Sequence, residues 1–147
     1  MTAPGTWKQL PRLALAGGLA FWVSNLAISL TPIAAEYRAG LSIPYWPMLA
    51  EALLGGLAIG VGVSLCLLRF PDAIPGTTPV LKSGWMSLAA LLLVTVLVEV
   101  PAKLLLPSSD PTRYLLIGLG FNLVRILALG VVIGLLHARV LARRTAS

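Results

Sequence analysis

Four apolar runs, each 23 residues long, constrain this chain more than any other feature; they occupy residues 13–35, 48–70, 84–106 and 114–136. A helix needs about 20 residues to cross the roughly 30 Å hydrocarbon core of a bilayer, so each run suffices with some tilt. Helices are preferred over strands, because in lipid a helix satisfies its backbone hydrogen bonds within its own segment. A membrane barrel would alternate apolar and polar residues in stretches of about ten, and these runs do not alternate. The expected fold is an all-α integral membrane protein: one transmembrane domain over residues 1–147, a bundle of four helices, short loops and a basic tail at 137–147. Composition agrees. The chain is 58% hydrophobic and 11% charged, against about 45–50% and about 25% in soluble domains, which excludes an ordinary soluble enzyme, a disordered chain and a coiled coil.

Turn-forming residues punctuate the runs. Pro44 and Pro47 flank the start of the second, Pro71, Pro75, Gly76 and Pro79 fill the next loop, and Pro107 and Pro111 bound the last, where Ser108 and Asp110 are candidate helix caps. Such short connections predict antiparallel packing of sequential helices. Lys8 and Arg12 precede the first run, but the run is too long for a signal-peptide core and Pro32-Ile33-Ala34-Ala35 is a poor cleavage site, so a retained helix is expected.

Lys and Arg set the expected orientation. Lys8, Arg12, Arg69, Lys82, Arg139, Arg143 and Arg144 fall on one side, and at most Arg38, Arg113 and Lys103 on the other. Both termini are therefore expected to be cytoplasmic, in the cytoplasmic (inner) cell membrane. The net charge of +6 arises this way and not from a nucleic-acid footprint, because no basic run interleaves with aromatics. Cys66 is the only cysteine and His137 the only histidine. An intrachain disulfide, a bis-His haem site, a Cys/His metal site and a Ser-His-Asp set are accordingly not expected, and no catalytic residue, metal or cofactor is assigned.

Ionisable side chains within a span cost about 2.5–3.5 kcal/mol each at the helix centre and mark functional sites by default. The candidates are Asn25, Glu51, Glu99, Lys103, Asn122 and Arg125. Counted from the external helix ends at 1.5 Å per residue, they lie roughly 15, 5, 10, 5, 12 and 16 Å deep, all in the outer half. Helical spacing predicts a common inward face: Gly118, Asn122 and Arg125 on the fourth span, Thr95, Glu99 and Lys103 on the third, and Gly18, Trp22, Asn25 and Ser29 on the first. Arg125 is long enough to reach Glu99. Glu99 and Lys103 form an i, i+4 pair, and Pro101 between them is expected to free the Leu97 carbonyl and bend the helix. Such a set either binds a ligand or fixes helix register.

The loop from Glu36 to Pro47 carries Glu36, Tyr37, Arg38, Tyr45 and Trp46. It reads either as an interfacial aromatic anchor or as a lid over the outer polar layer. Small residues recur every four positions at Ala52, Gly56, Gly60 and Ser64, and again at Gly130 and Gly134. These stripes allow close helix approach, within one chain or between chains.

The expected role is non-enzymatic: binding or transport of a small solute, ion or lipid headgroup. Four helices leave little room for a private pathway, so a homo-oligomer or a partner membrane subunit is implied. Two alternatives remain. One is an enzyme on a lipid or isoprenoid headgroup, with Glu99 or Glu51 as acid/base and Arg125 or Lys103 on phosphate. The other is an accessory subunit without a ligand.

Overall fold

The computed structural model describes residues 6–105 and 110–145, which form five helices and, among the described residues, no strand. They are α1 (Thr6–Ser29), α2 (Pro32–Gly40), α3 (Tyr45–Arg69), α4 (Pro79–Leu105) and α5 (Pro111–Thr145). All except α2 are long and apolar enough to cross a membrane.

The first run is not one helix. Pro32 cannot donate to Ile28 and pushes the residue before it out of helical geometry. Thr31 is extended, at φ −81° and ψ 149°, and its Oγ1 accepts from Ala34 N, so it caps a new helix, α2. The first span shifts accordingly to Trp7–Ser29. A reversed turn ends α2: Ile43 N bonds to Arg38 O, Ser42 N to Ala39 O, and Ser42 takes a left-handed φ of 53°.

The second run starts earlier than expected, at Tyr45, so Tyr45 and Trp46 are helical. Pro47 sits in the first turn of α3, where a missing N–H costs nothing. The third run also starts early, at Pro79, with Thr78 Oγ1 accepting from Leu81 N. Ahead of Pro101, α4 widens into a π turn over Thr95–Glu99, with Val100 N bonded to Thr95 O. This is the local answer to a proline ring that would otherwise clash one turn back. The last helix is capped by Asp110, whose Oδ1 accepts from Arg113 N. Leu106, Pro107 and the Ser108 cap lie outside the described residues. The tail expected at 137–147 continues α5 as far as Thr145.

The four long helices pack in a ring in chain order. α1 sits between α3 and α5, α4 packs on α5, and the α3–α4 contact is looser. Lipid tails are as apolar as leucine, so close packing rather than water exclusion holds such helices together. Both small-residue stripes are used for this within the chain. A Cβ on Gly60 would fall 2.7 Å from the Ala14 carbonyl oxygen, and one on Gly134 would fall 2.6 Å from Val80 Cα. Ser83 Oγ, fully buried, donates to Gly130 O at 2.7 Å and pins α4 to α5. On α5, Ile126, Leu129 and Ile133 are fully buried and form the centre of the core.

Candidate functional site

The polar residues of α1, α4 and α5 converge at the end of the bundle covered by α2. Their hub is Arg125. Its Nε donates to Phe121 O at 3.1 Å, one turn back along α5, which directs the guanidinium toward the α2 end. Nη1 donates to Asn25 Oδ1 on α1 at 2.6 Å, and Nη2 donates to Asn122 Oδ1 at 2.6 Å. Asn122 in turn donates through Nδ2 to Glu99 Oε1 on α4 at 2.9 Å.

Arg125 and Glu99 therefore do not form the direct pair that their depths suggest. Asn122 stands between them, with its oxygen on the cation and its nitrogen on the carboxylate. Glu99 faces Lys103 instead, but Nζ to Oε2 is 3.9 Å, beyond hydrogen-bonding distance. Lys103, 8% exposed, lies 4.8 Å from the centre of the Tyr37 ring. The depth of Asn25 also changes. With α1 ending at Ser29, Asn25 lies four residues from the helix end, about 6 Å rather than 15 Å.

These residues open onto a cavity of about 220 Å³. Arg38, Lys103 and Arg125 give it positive charge, and Glu99 and Glu51 negative charge; Asn25, Ser29 and Tyr37 add neutral polar groups. Its apolar wall includes Ile43, Met48 and Phe121. Glu51 is exposed and belongs to the mouth. Asn122 is behind the wall and acts on it through its two bonds. Three buried polar atoms around this region have no hydrogen-bond partner: Glu99 Oε2, Asn25 Nδ2 and Thr95 Oγ1. An unmet buried group costs about 1–3 kcal/mol.

The loop residues divide into two groups. Tyr37 and Arg38 line the cavity. Tyr37 packs edge-on against Tyr114 and Phe121 of α5, with ring centres 6.0 and 5.6 Å away. Burial first, and then the charge of Glu99, push its phenol well above the ordinary value, so it stays a neutral hydroxyl. Arg38 donates to Ser29 O at 3.0 Å and lies 5.1 Å from the centre of the Tyr45 ring. The other three residues lie outside. Glu36 pairs with Arg113 at 2.6 Å and ties α2 to α5, Tyr45 shares a hydrogen bond with Ser29 Oγ, and Trp46 is 77% exposed beside Tyr45.

Several wall residues carry no chemical signal in the sequence. Phe121 does lie one turn before Arg125 on the same face, and Ser29 belongs to the inward face expected of the first span. Ile43 and Met48 reach the wall only through the reversed turn between α2 and α3, which no periodicity announces. Among the described residues no three of His, Cys, Asp and Glu gather as a metal-binding group. What the cavity offers is charge and hydrogen bonding. In comparison with known proteins, no family model, no curated protein and no solved structure matches the chain.

Proposed function

We propose that this multi-pass membrane protein binds a small polar ligand in the cavity beneath α2, an anionic solute or a lipid headgroup. One observation carries the reading. Asn25, 3% exposed, and Glu99 keep polar atoms without a hydrogen-bond partner, Nδ2 and Oε2, on side chains that line a cavity also furnished by Arg125 and Lys103, the lysine being 3.9 Å from Oε2. A purely structural network would be expected to close on itself, because a half-satisfied one is worse than an apolar core. The volume suits a headgroup-sized molecule; pockets for drug-sized ligands run to about 300–1,000 Å³. The anionic part of the ligand meets Lys103 and Arg38, and a hydroxyl or amine donates to Glu99 Oε2.

In this proposal both termini lie in the cytoplasm and the cavity in the outer half of the cytoplasmic membrane, a reading supported by the excess of Lys and Arg at the terminal end of the bundle. Assembly with another copy or with a partner subunit belongs to the same proposal. Its support is α4, where 11% of the most apolar stretch is buried, against 33–39% in the other three spans.

The test is thermal unfolding of the purified protein in detergent with phosphoethanolamine or glycerol 3-phosphate, both water-soluble headgroups. Stabilisation that saturates with either compound, and is lost in Lys103→Gln and Arg38→Gln, supports the reading. Stabilisation by neither compound, with all variants folded, counts against it and favours an accessory role.

A further inference from the structure

A second site lies at the opposite end of the bundle. The first turns of α1 and the extension of α5 beyond its apolar run stand side by side and enclose a groove of about 460 Å³. Lys8 and Arg12 are one turn apart on α1, and Arg139 and Arg143 are one turn apart on α5, so each wall presents two cations. Leu13, Leu136 and Val140 form an apolar floor between them.

No acid lines this groove. Among the described residues, none of the four cations has an ion-pair or side-chain hydrogen-bond partner. The groove thus differs from the outer cavity, where cations and carboxylates are interleaved. Gln9 adds a buried carbonyl oxygen, Oε1, that lacks a hydrogen-bond partner.

We propose that this groove is a binding site for an anionic phospholipid of the leaflet at the terminal end of the bundle. The phosphate lies between the two pairs of cations, a headgroup hydroxyl donates to Gln9 Oε1, and an acyl chain runs down over Leu13, Leu136 and Val140. Charge complementarity selects this occupant. Basic pockets between transmembrane helices hold anionic headgroups, and the apolar floor adds what a free anion would not use. The site is independent of the outer cavity and uses none of its residues.

The experiment is native mass spectrometry of the detergent-solubilised full chain titrated with phosphatidylglycerol, with phosphatidylcholine as the neutral reference. The wild type retains phosphatidylglycerol in preference to phosphatidylcholine. Each basic residue near an anionic surface is worth about fivefold in binding. Arg139→Gln/Arg143→Gln and Lys8→Gln/Arg12→Gln each remove two, so each weakens phosphatidylglycerol by about 30-fold and leaves phosphatidylcholine unchanged. All four side chains are exposed, so both double variants fold. Equal retention of the two lipids overturns the proposal, as does a loss confined to one wall. Displacement of the lipid by an equimolar amount of inorganic phosphate overturns it too, because the apolar floor would then contribute nothing.

Discussion

Replacing Asn122 with Ala removes the side chain that, among the described residues, is hydrogen-bonded to both Glu99 and Arg125. Its two bonds, 2.9 Å to the carboxylate and 2.6 Å from the guanidinium, are both charge-assisted. Hydrogen bonds to charged groups contribute about 1.5–3 kcal/mol each in soluble proteins, whereas interhelical bonds in membranes average about 0.6 and reach about 1.7 kcal/mol. Asn122 is 5% exposed, so water cannot replace what is lost; the upper membrane value of about 1.7 kcal/mol applies to the bond to Glu99, which crosses from α5 to α4, and the lower figure for charged groups, about 1.5 kcal/mol, to the bond to Arg125 within α5. Asn122→Ala is expected to cost about 3 kcal/mol on those figures. Unfolding in mixed micelles of increasing SDS fraction, followed by tryptophan fluorescence, measures it. The same assay tests the relay itself. Glu99→Gln and Arg125→Gln are expected to couple by about 1–2 kcal/mol in the wild type and to be additive within about 0.5 kcal/mol once Asn122 is Ala. Coupling that persists undiminished in the Asn122→Ala background would refute the relay and show the two charges acting directly through space.

Three further outcomes follow from the geometry. Gly60→Ala places a methyl against the Ala14 carbonyl and is expected to cost about 1–3 kcal/mol, while Gly62→Ala, with no atom within 4 Å, is neutral or stabilising in the same unfolding assay. In an alkaline absorbance titration, Tyr37 ionises well after the ordinary value of about 10, and Tyr37→Phe removes that late contribution. Because the folded state holds this proton, Tyr37 leaves stability unchanged below about pH 10 and lowers it as the pH climbs further, once the unfolded phenol ionises. In a Cys66→Ser background, Thr112→Cys is expected to react with an impermeant thiol reagent from outside the cell and Thr77→Cys only after permeabilisation; the reverse pattern would invert the assigned orientation.

The four spans were legible because a bilayer demands length and apolarity, and little else satisfies both. Their ends were not. Leu30 to Ala35 continue the apolar run, and only the Thr-Pro pair at 31–32 signals that the chain stops one helix and caps another. Tyr45 and Trp46 read as loop because two prolines surround them, yet a proline in the first helical turn is harmless. Residues 137–145 read as a tail because they are basic, but Leu141 and the arginines are good helix formers. Of the polar set, the grouping of Asn25, Glu99, Lys103, Asn122 and Arg125 followed from helical spacing, while the depth expected for Asn25 was too great because the apolar run continues past the end of α1 at Ser29. The partner choice within the set did not follow, because Asn122 intervenes through its rotamer, which spacing does not encode. The Glu36–Arg113 pair was equally invisible, since it depends on α2 lying against the start of α5.

The central claim is that the charges beneath α2 serve a ligand and not only each other. An experimental structure of the protein in lipid nanodiscs, enlarged with a bound antibody fragment, tests this most directly. The account predicts ordered non-protein density within hydrogen-bonding distance of both Lys103 Nζ and Glu99 Oε2. A closed, dry interior, with Lys103 bonded directly to Glu99 and the Asn25 amide satisfied by protein atoms, would contradict it.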